Sequence, residues 1–77
     1  MAEVVRLPPG TEPPHPGSMV VLSQTVSGLY SCEGYLSTAE GQANYQIFGG
    51  RELEQGLGEA IRWADENGVA VVYLTGA

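Results

Sequence analysis

The chain has 77 residues, with nine Asp and Glu against three Arg, no Lys, a net charge of −6 and a pI near 4.3. That charge repels phosphate backbones and anionic membranes and attracts basic surfaces, so direct nucleic-acid and membrane binding drop out of the expected functions. One Cys and one His exclude an intrachain disulfide and a Cys/His zinc cluster. A domain of about 60 residues buries only about 60% of its unfolded surface, which leaves association as the expected source of extra stability.

All five prolines fall between Pro8 and Pro16. Proline lacks the N–H that a helix or central strand needs, so residues 1–18 read as an extended, polyproline-like or disordered leader. Residues 3–7 could add a short edge strand before it. No apolar run of secretory or membrane-spanning length is present, so the expected location is cytoplasmic. Arg without Lys, together with many Gly, Ala and Val, suggests a GC-rich bacterial or phage source.

Residues 19–77 read as a single small domain. The β-branched run at 19–26 reads as a strand. Ser27-Gly28 reads as a two-residue turn, since Gly supplies a positive φ. Residues 29–37 read as a second strand, with Tyr30, Cys32, Gly34 and Leu36 on one face and Ser31, Glu33 and Tyr35 on the other. After a turn at 38–42, residues 43–48 read as a third strand, with Ala43, Tyr45 and Ile47 on one face. Gly49-Gly50 is expected to break it.

Residues 51–67 then change period. Leu53, Leu57, Ala60, Ile61 and Ala64 form one apolar helical stripe, and Gly68 reads as the helix stop. The continuous apolar run at 69–74 reads as a well-covered strand, a candidate for the centre of the sheet. The order is βββαβ: an α+β fold with a four-stranded, mostly antiparallel sheet, one amphipathic helix on one face and a Pro-rich N-terminal leader. The last strand is expected beside the first. One helix covers one sheet face, so Met19, Val21, Tyr35 and Phe48 are expected on an open, apolar second face of the kind that marks an interface.

Catalytic chemistry finds little support in these residues. Cys32 falls in mid-strand, far in sequence from His15, so no nucleophile–base pair is apparent. The carboxylates show no metal-ligand spacing, and the Phe48-Gly49-Gly50-Arg51 turn matches no phosphate-binding motif. The expectation is therefore no enzyme activity, no cofactor and no metal.

The helix's outer surface is the constellation worth pursuing. Glu52, Glu59 and Glu66 recur every seven residues and form an acidic stripe, with Trp63 between that stripe and the core face. Arg62 is placed to pair with Glu59 or Glu66. Gly56 and Gly58 each cost about 1 kcal/mol against Ala, which suggests close approach to the sheet at Gly56 and, at the outward-pointing Gly58, either close approach by a partner or a bend in the helix. The expected partner-binding residues are Glu52, Glu59, Glu66, Trp63 and, on the sheet, Tyr35. The leading expectation is a non-enzymatic acidic interaction module that occupies a basic nucleic-acid-binding surface of a host protein, by functional analogy with anti-CRISPR and anti-restriction inhibitors. The alternative is a small homo-oligomeric structural or accessory subunit, such as a homodimer, docking through its open sheet face.

Overall fold

The β-branched run from Met19 does form a strand, and its alternation decides which side chains enter the core. A computed structural model describes residues 2–8, 11 and 17–75. The expected polyproline stretch, its Pro13/Pro16 pair and His15 lie outside the described residues. The elements are β1 (Glu3–Arg6), β2 (Met19–Gln24), β3 (Tyr30–Thr38), β4 (Gly41–Arg51), α1 (Leu53–Glu66) and β5 (Val71–Thr75). They build one five-stranded sheet in the order β1-β5-β2-β3-β4, with α1 packed across one face.

The α+β class, the single helix layer and the last strand's place beside the first are as expected; the four expected strands are joined by a fifth, at the edge where residues 3–7 could add one, and the sheet is mixed. β5 runs parallel to both β1 and β2, while β2-β3 and β3-β4 are antiparallel. The fifth strand is the short N-terminal segment. It docks on the edge of β5 left free by β2, where its backbone supplies the missing ladder. Ala2 N–H donates to Asp65 Oδ1 at 2.8 Å, and Glu3 N–H to the Ala70 carbonyl at 2.9 Å, which ties β1 to the end of α1.

The core forms where alternate residues of the central strands meet the helix stripe. Val20, Leu22, Cys32, Val72 and Leu74 lie beneath Ala60 and Ala64, with Leu53, Leu57 and Ile61 packed around them. Each fully buried aliphatic side chain contributes about 1.5–3 kcal/mol. Small residues on the buried helix face let α1 sit close to the sheet.

The turns differ from expectation in instructive ways. The β2-β3 connection has five residues, of which Thr25 and Leu29 close a three-residue tip, Val26-Ser27-Gly28: Gly28 N–H donates to the Thr25 carbonyl at 3.0 Å, and Thr25 N–H to the Leu29 carbonyl at 2.7 Å. Gly28, at φ +87, is the left-handed residue that a turn of this length requires. Gly49-Gly50 does not break its strand either. The β3-β4 register passes from Glu33↔Gln46 to Cys32↔Phe48, leaving Ile47 as an extra residue, and Gly50 is skipped between Ser31↔Gly49 and Tyr30↔Arg51. These are β-bulges, and the first reverses the facing of the β4 residues beyond it. Phe48, expected on the open face, is turned into the core.

The helix stops by a Schellman arrangement. Gly68 N–H donates to the Asp65 carbonyl and Val69 N–H to the Ala64 carbonyl at 2.8 Å, with buried Val69 closing the apolar contact. At the other end the N-cap is Glu52, whose side chain makes no capping hydrogen bond.

The sheet face away from α1 is less open than expected. One rank runs Val5, Tyr73, Val21, Glu33 and Gln46 across all five strands, and Met19 faces Tyr35 in the next. Met19 and Val21 are only 2% and 8% exposed.

Candidate functional site

The surface of α1 away from the sheet is rich in charged residues. Gly56, Ala60 and Ala64 point inward, while Glu52, Glu54, Arg62, Asp65 and Glu66 are exposed. The seven-residue spacing sets Glu52, Glu59 and Glu66 roughly 10 Å apart along the axis.

Glu59 is not free on that stripe. The connection from β4 to α1 is the single residue Glu52, so Arg51 lies back across the second helical turn. Its Nε donates to Glu59 Oε2 at 3.2 Å, with the two side chains 39% and 31% exposed. The Arg51 guanidinium also sits 5.5 Å from the centre of the Phe48 ring. The cation on Glu59 is thus Arg51, not Arg62 as the helical spacing alone suggests. A pair this exposed contributes at most about 1 kcal/mol.

Trp63 is half-buried, and it meets the sheet in a way no helical wheel reveals. Its six-membered ring lies directly on the backbone of Gly34 in β3. A Cβ at Gly34 would stand 2.5 Å from Trp63 Cη2, 2.7 Å from Cζ3 and 3.0 Å from Cζ2. Tyr45 of β4 approaches the same ring, with centroids 6.0 Å apart and planes tilted by 51°. Gly34, Trp63 and Tyr45 therefore form one packed unit at the edge of the core. Sequence reasoning placed Gly34 on the core face but missed this stack. A glycine in mid-strand, among larger inward residues, was the available signal for a close approach.

Tyr35 lies elsewhere. Its side chain is on the sheet face opposite α1, paired in register with Met19 and Asn44. Partial burial, the charge of Glu33 and a hydrogen bond to Glu33 all raise its hydroxyl above the ordinary tyrosine range. The structure thus gathers Glu52, Glu59, Glu66 and Trp63 on one element and leaves Tyr35 on the other side of the sheet.

The cysteine is set in an unreactive place. Cys32 is fully buried, and burial first, then Glu33 and Glu59, push its thiol up to about 12. A thiol held in that form is a poor nucleophile. Among the described residues no three His, Cys, Asp or Glu side chains come together as metal ligands. Among the same residues no helix is long and apolar enough to cross a membrane.

Electrostatics distinguish the two ends of α1. Glu54 in the first turn complements the helix dipole, but no basic residue occupies the last turn. Asp65 and Glu66 lie there instead, where the dipole disfavours negative charge by about 0.3–1 kcal/mol each. The Ala2 N–H compensates Asp65, whereas Glu66 is exposed and makes no ion pair among the described residues. Comparison of the chain with protein-family models, curated proteins and solved structures finds no match.

Proposed function

We propose that this protein is a non-enzymatic interaction module that presents the acidic outer face of α1 to a basic protein surface. The concrete form we favour is an inhibitor, of the anti-CRISPR or anti-restriction kind, that occupies a nucleic-acid-binding surface with carboxylates in place of phosphates. The supporting observation is Glu66, an exposed carboxylate at the helix end where the dipole disfavours it and where the last turn has no cation. A basic partner removes that cost on docking, and Glu52 and Glu59 extend the same stripe. Association of this type is fast and salt-sensitive. The alternative of docking through the open sheet face loses its strongest anchors, because Met19 and Val21 are already buried.

Glu66→Lys tests the reading, because stability and binding should move in opposite directions. The isolated protein gains about 0.3–1 kcal/mol, read as a raised melting temperature. Capture of nucleic-acid-binding proteins from a GC-rich bacterial lysate, eluted with a salt gradient, is lost. If the same proteins are retained by Glu66→Lys and by a Glu52→Gln/Glu59→Gln/Glu66→Gln variant, the acidic face is not the docking surface.

A further inference from the structure

We infer that β4 is a self-association edge, at which a second copy of this chain pairs antiparallel with the first to give one continuous ten-stranded sheet. This edge is separate from the acidic face of α1, and neither role depends on the other.

β4 ends the strand order, and among the described residues nothing pairs with its outer side. Exposed edges are normally blunted by short length, charge, proline or bulges. The opposite edge, β1, has four residues and carries Glu3 and Arg6 at its ends. β4 has eleven residues and no charged side chain from Gly41 to Gly50. Its two bulges fall at Ile47 and Gly50, which leaves Gln42, Ala43, Asn44, Tyr45 and Gln46 in unbroken register with β3. Between its start and the first bulge the edge is thus regular and free of charge and proline.

Charge permits a second copy here and at few other places. Two chains of net charge −6 meet at least cost where carboxylates are absent, and residues 41–50 are such a strip. Homotypic contact through α1 would instead oppose Glu52, Glu54 and Glu66 with themselves. Side-chain shape fits as well. A two-fold axis at Asn44, the centre of the regular stretch, places Gln42 opposite the second copy's Gln46 and Ala43 opposite its Tyr45. The amide pairs hydrogen-bond across the seam, and each Tyr45 ring, now 48% exposed, gains the space left by a small alanine. Such an interface is isologous and closed, so it stops at two copies. Both α1 helices then lie on the same face of the joined sheet.

Sedimentation equilibrium of the full chain, with Asn44→Lys and Asn44→Glu variants checked for fold by circular dichroism, tests this. The wild type should dimerise. Each variant alone opposes like charges at the axis and should raise the dimer dissociation constant about fivefold. An equimolar mixture of the two variants should restore association. In the wild type, outward-facing β4 amides should gain hydrogen-exchange protection as concentration rises. A wild type that stays monomeric at its solubility limit overturns the inference. So does a dimer indifferent to both variants, which would place the contact on another surface.

Discussion

Gly34→Ala is the sharpest test of how the helix meets the sheet. Gly34 lies in mid-strand, where replacing glycine by alanine ordinarily favours the fold by about 0.5–1 kcal/mol. Here the new methyl would stand 2.5–3.0 Å from three atoms of the Trp63 ring. Carbon atoms rest at about 3.5–4.0 Å, so the ring must move by about 1 Å. An indole cannot bend away as a flexible chain end does, and Tyr45 lies against the same ring, 6.0 Å between centroids. Overpacking costs about 1–3 kcal/mol, and against a rigid ring the upper part of that range, about 2–3 kcal/mol, applies, leaving a net loss of about 1–2 kcal/mol after the backbone gain is subtracted. For a chain of this size the melting temperature should fall by about 5–15 °C. The assay is thermal unfolding by circular dichroism, with Trp63 fluorescence reporting the displaced ring. The same substitution in a Trp63→Leu background should be neutral or stabilising, so the pair should couple by at least about 1 kcal/mol. An unchanged or higher melting temperature for Gly34→Ala alone would refute the reasoning, as would equal losses in both backgrounds.

The two helix glycines should respond with opposite signs. A Cβ at Gly58 meets nothing within 4 Å, so Gly58→Ala should raise stability by about 0.5–1 kcal/mol, whereas Gly56→Ala, whose Cβ would lie 3.1 Å from Phe48 Cζ, should lower it. Urea denaturation of both variants checks the contrast, and two shifts of the same sign would contradict the helix placement. Glu52→Ser should supply the missing N-cap and form a capping box with Gln55 at the third helical position, stabilising by about 0.5–1 kcal/mol; an unchanged urea midpoint would count against the cap assignment. Cys32 sets a pH limit. Its thiol ionises near 9.0 when unfolded but near 12 when folded, so its stabilising contribution is full below pH 9 and lost as pH rises towards 12. The slope approaches 1.4 kcal/mol per pH unit, roughly, over that window. Cys32→Val should remove the part of the decline that begins at pH 9, while Tyr35, also raised, keeps its own part above 10.0. Denaturation curves across that range give the test, and identical pH profiles for the two proteins would contradict the burial of the thiol.

The elements that could be read from sequence were those in which one local pattern decides the outcome. The helix stripe, the inward set Tyr30, Cys32, Gly34 and Leu36, and the stop at Gly68 all follow from a single period or a single residue's backbone freedom. Phe48 was misplaced because strict alternation cannot anticipate an inserted residue. The bulge at Ile47 depends on the register with β3, which is a property of two strands together. The last strand was placed correctly beside the first strand of the meander, but the docking of β1 on its far side was only a possibility in the sequence, since a four-residue segment is too short to specify its partner and takes its direction from β5. At the candidate site, the carboxylate spacing was legible along the helix. The pairing of Glu59 with Arg51 was not, because it depends on a one-residue connection between β4 and α1. The contact of Trp63 with Gly34 joins two residues twenty-nine positions apart and has no local signature.

The position of β5 orders the assembly of the sheet in time. β2, β3 and β4 are sequential neighbours and can pair as a meander while the chain is still being made. β1 is made first, yet its only ladder among the described residues is with Val71–Thr75. Until that segment has left the ribosome, β1 has no strand to join, β2 presents a bare edge and the apolar stripe of α1 has only part of its floor. β5, between β1 and β2, is thus the piece that joins the two halves of the sheet.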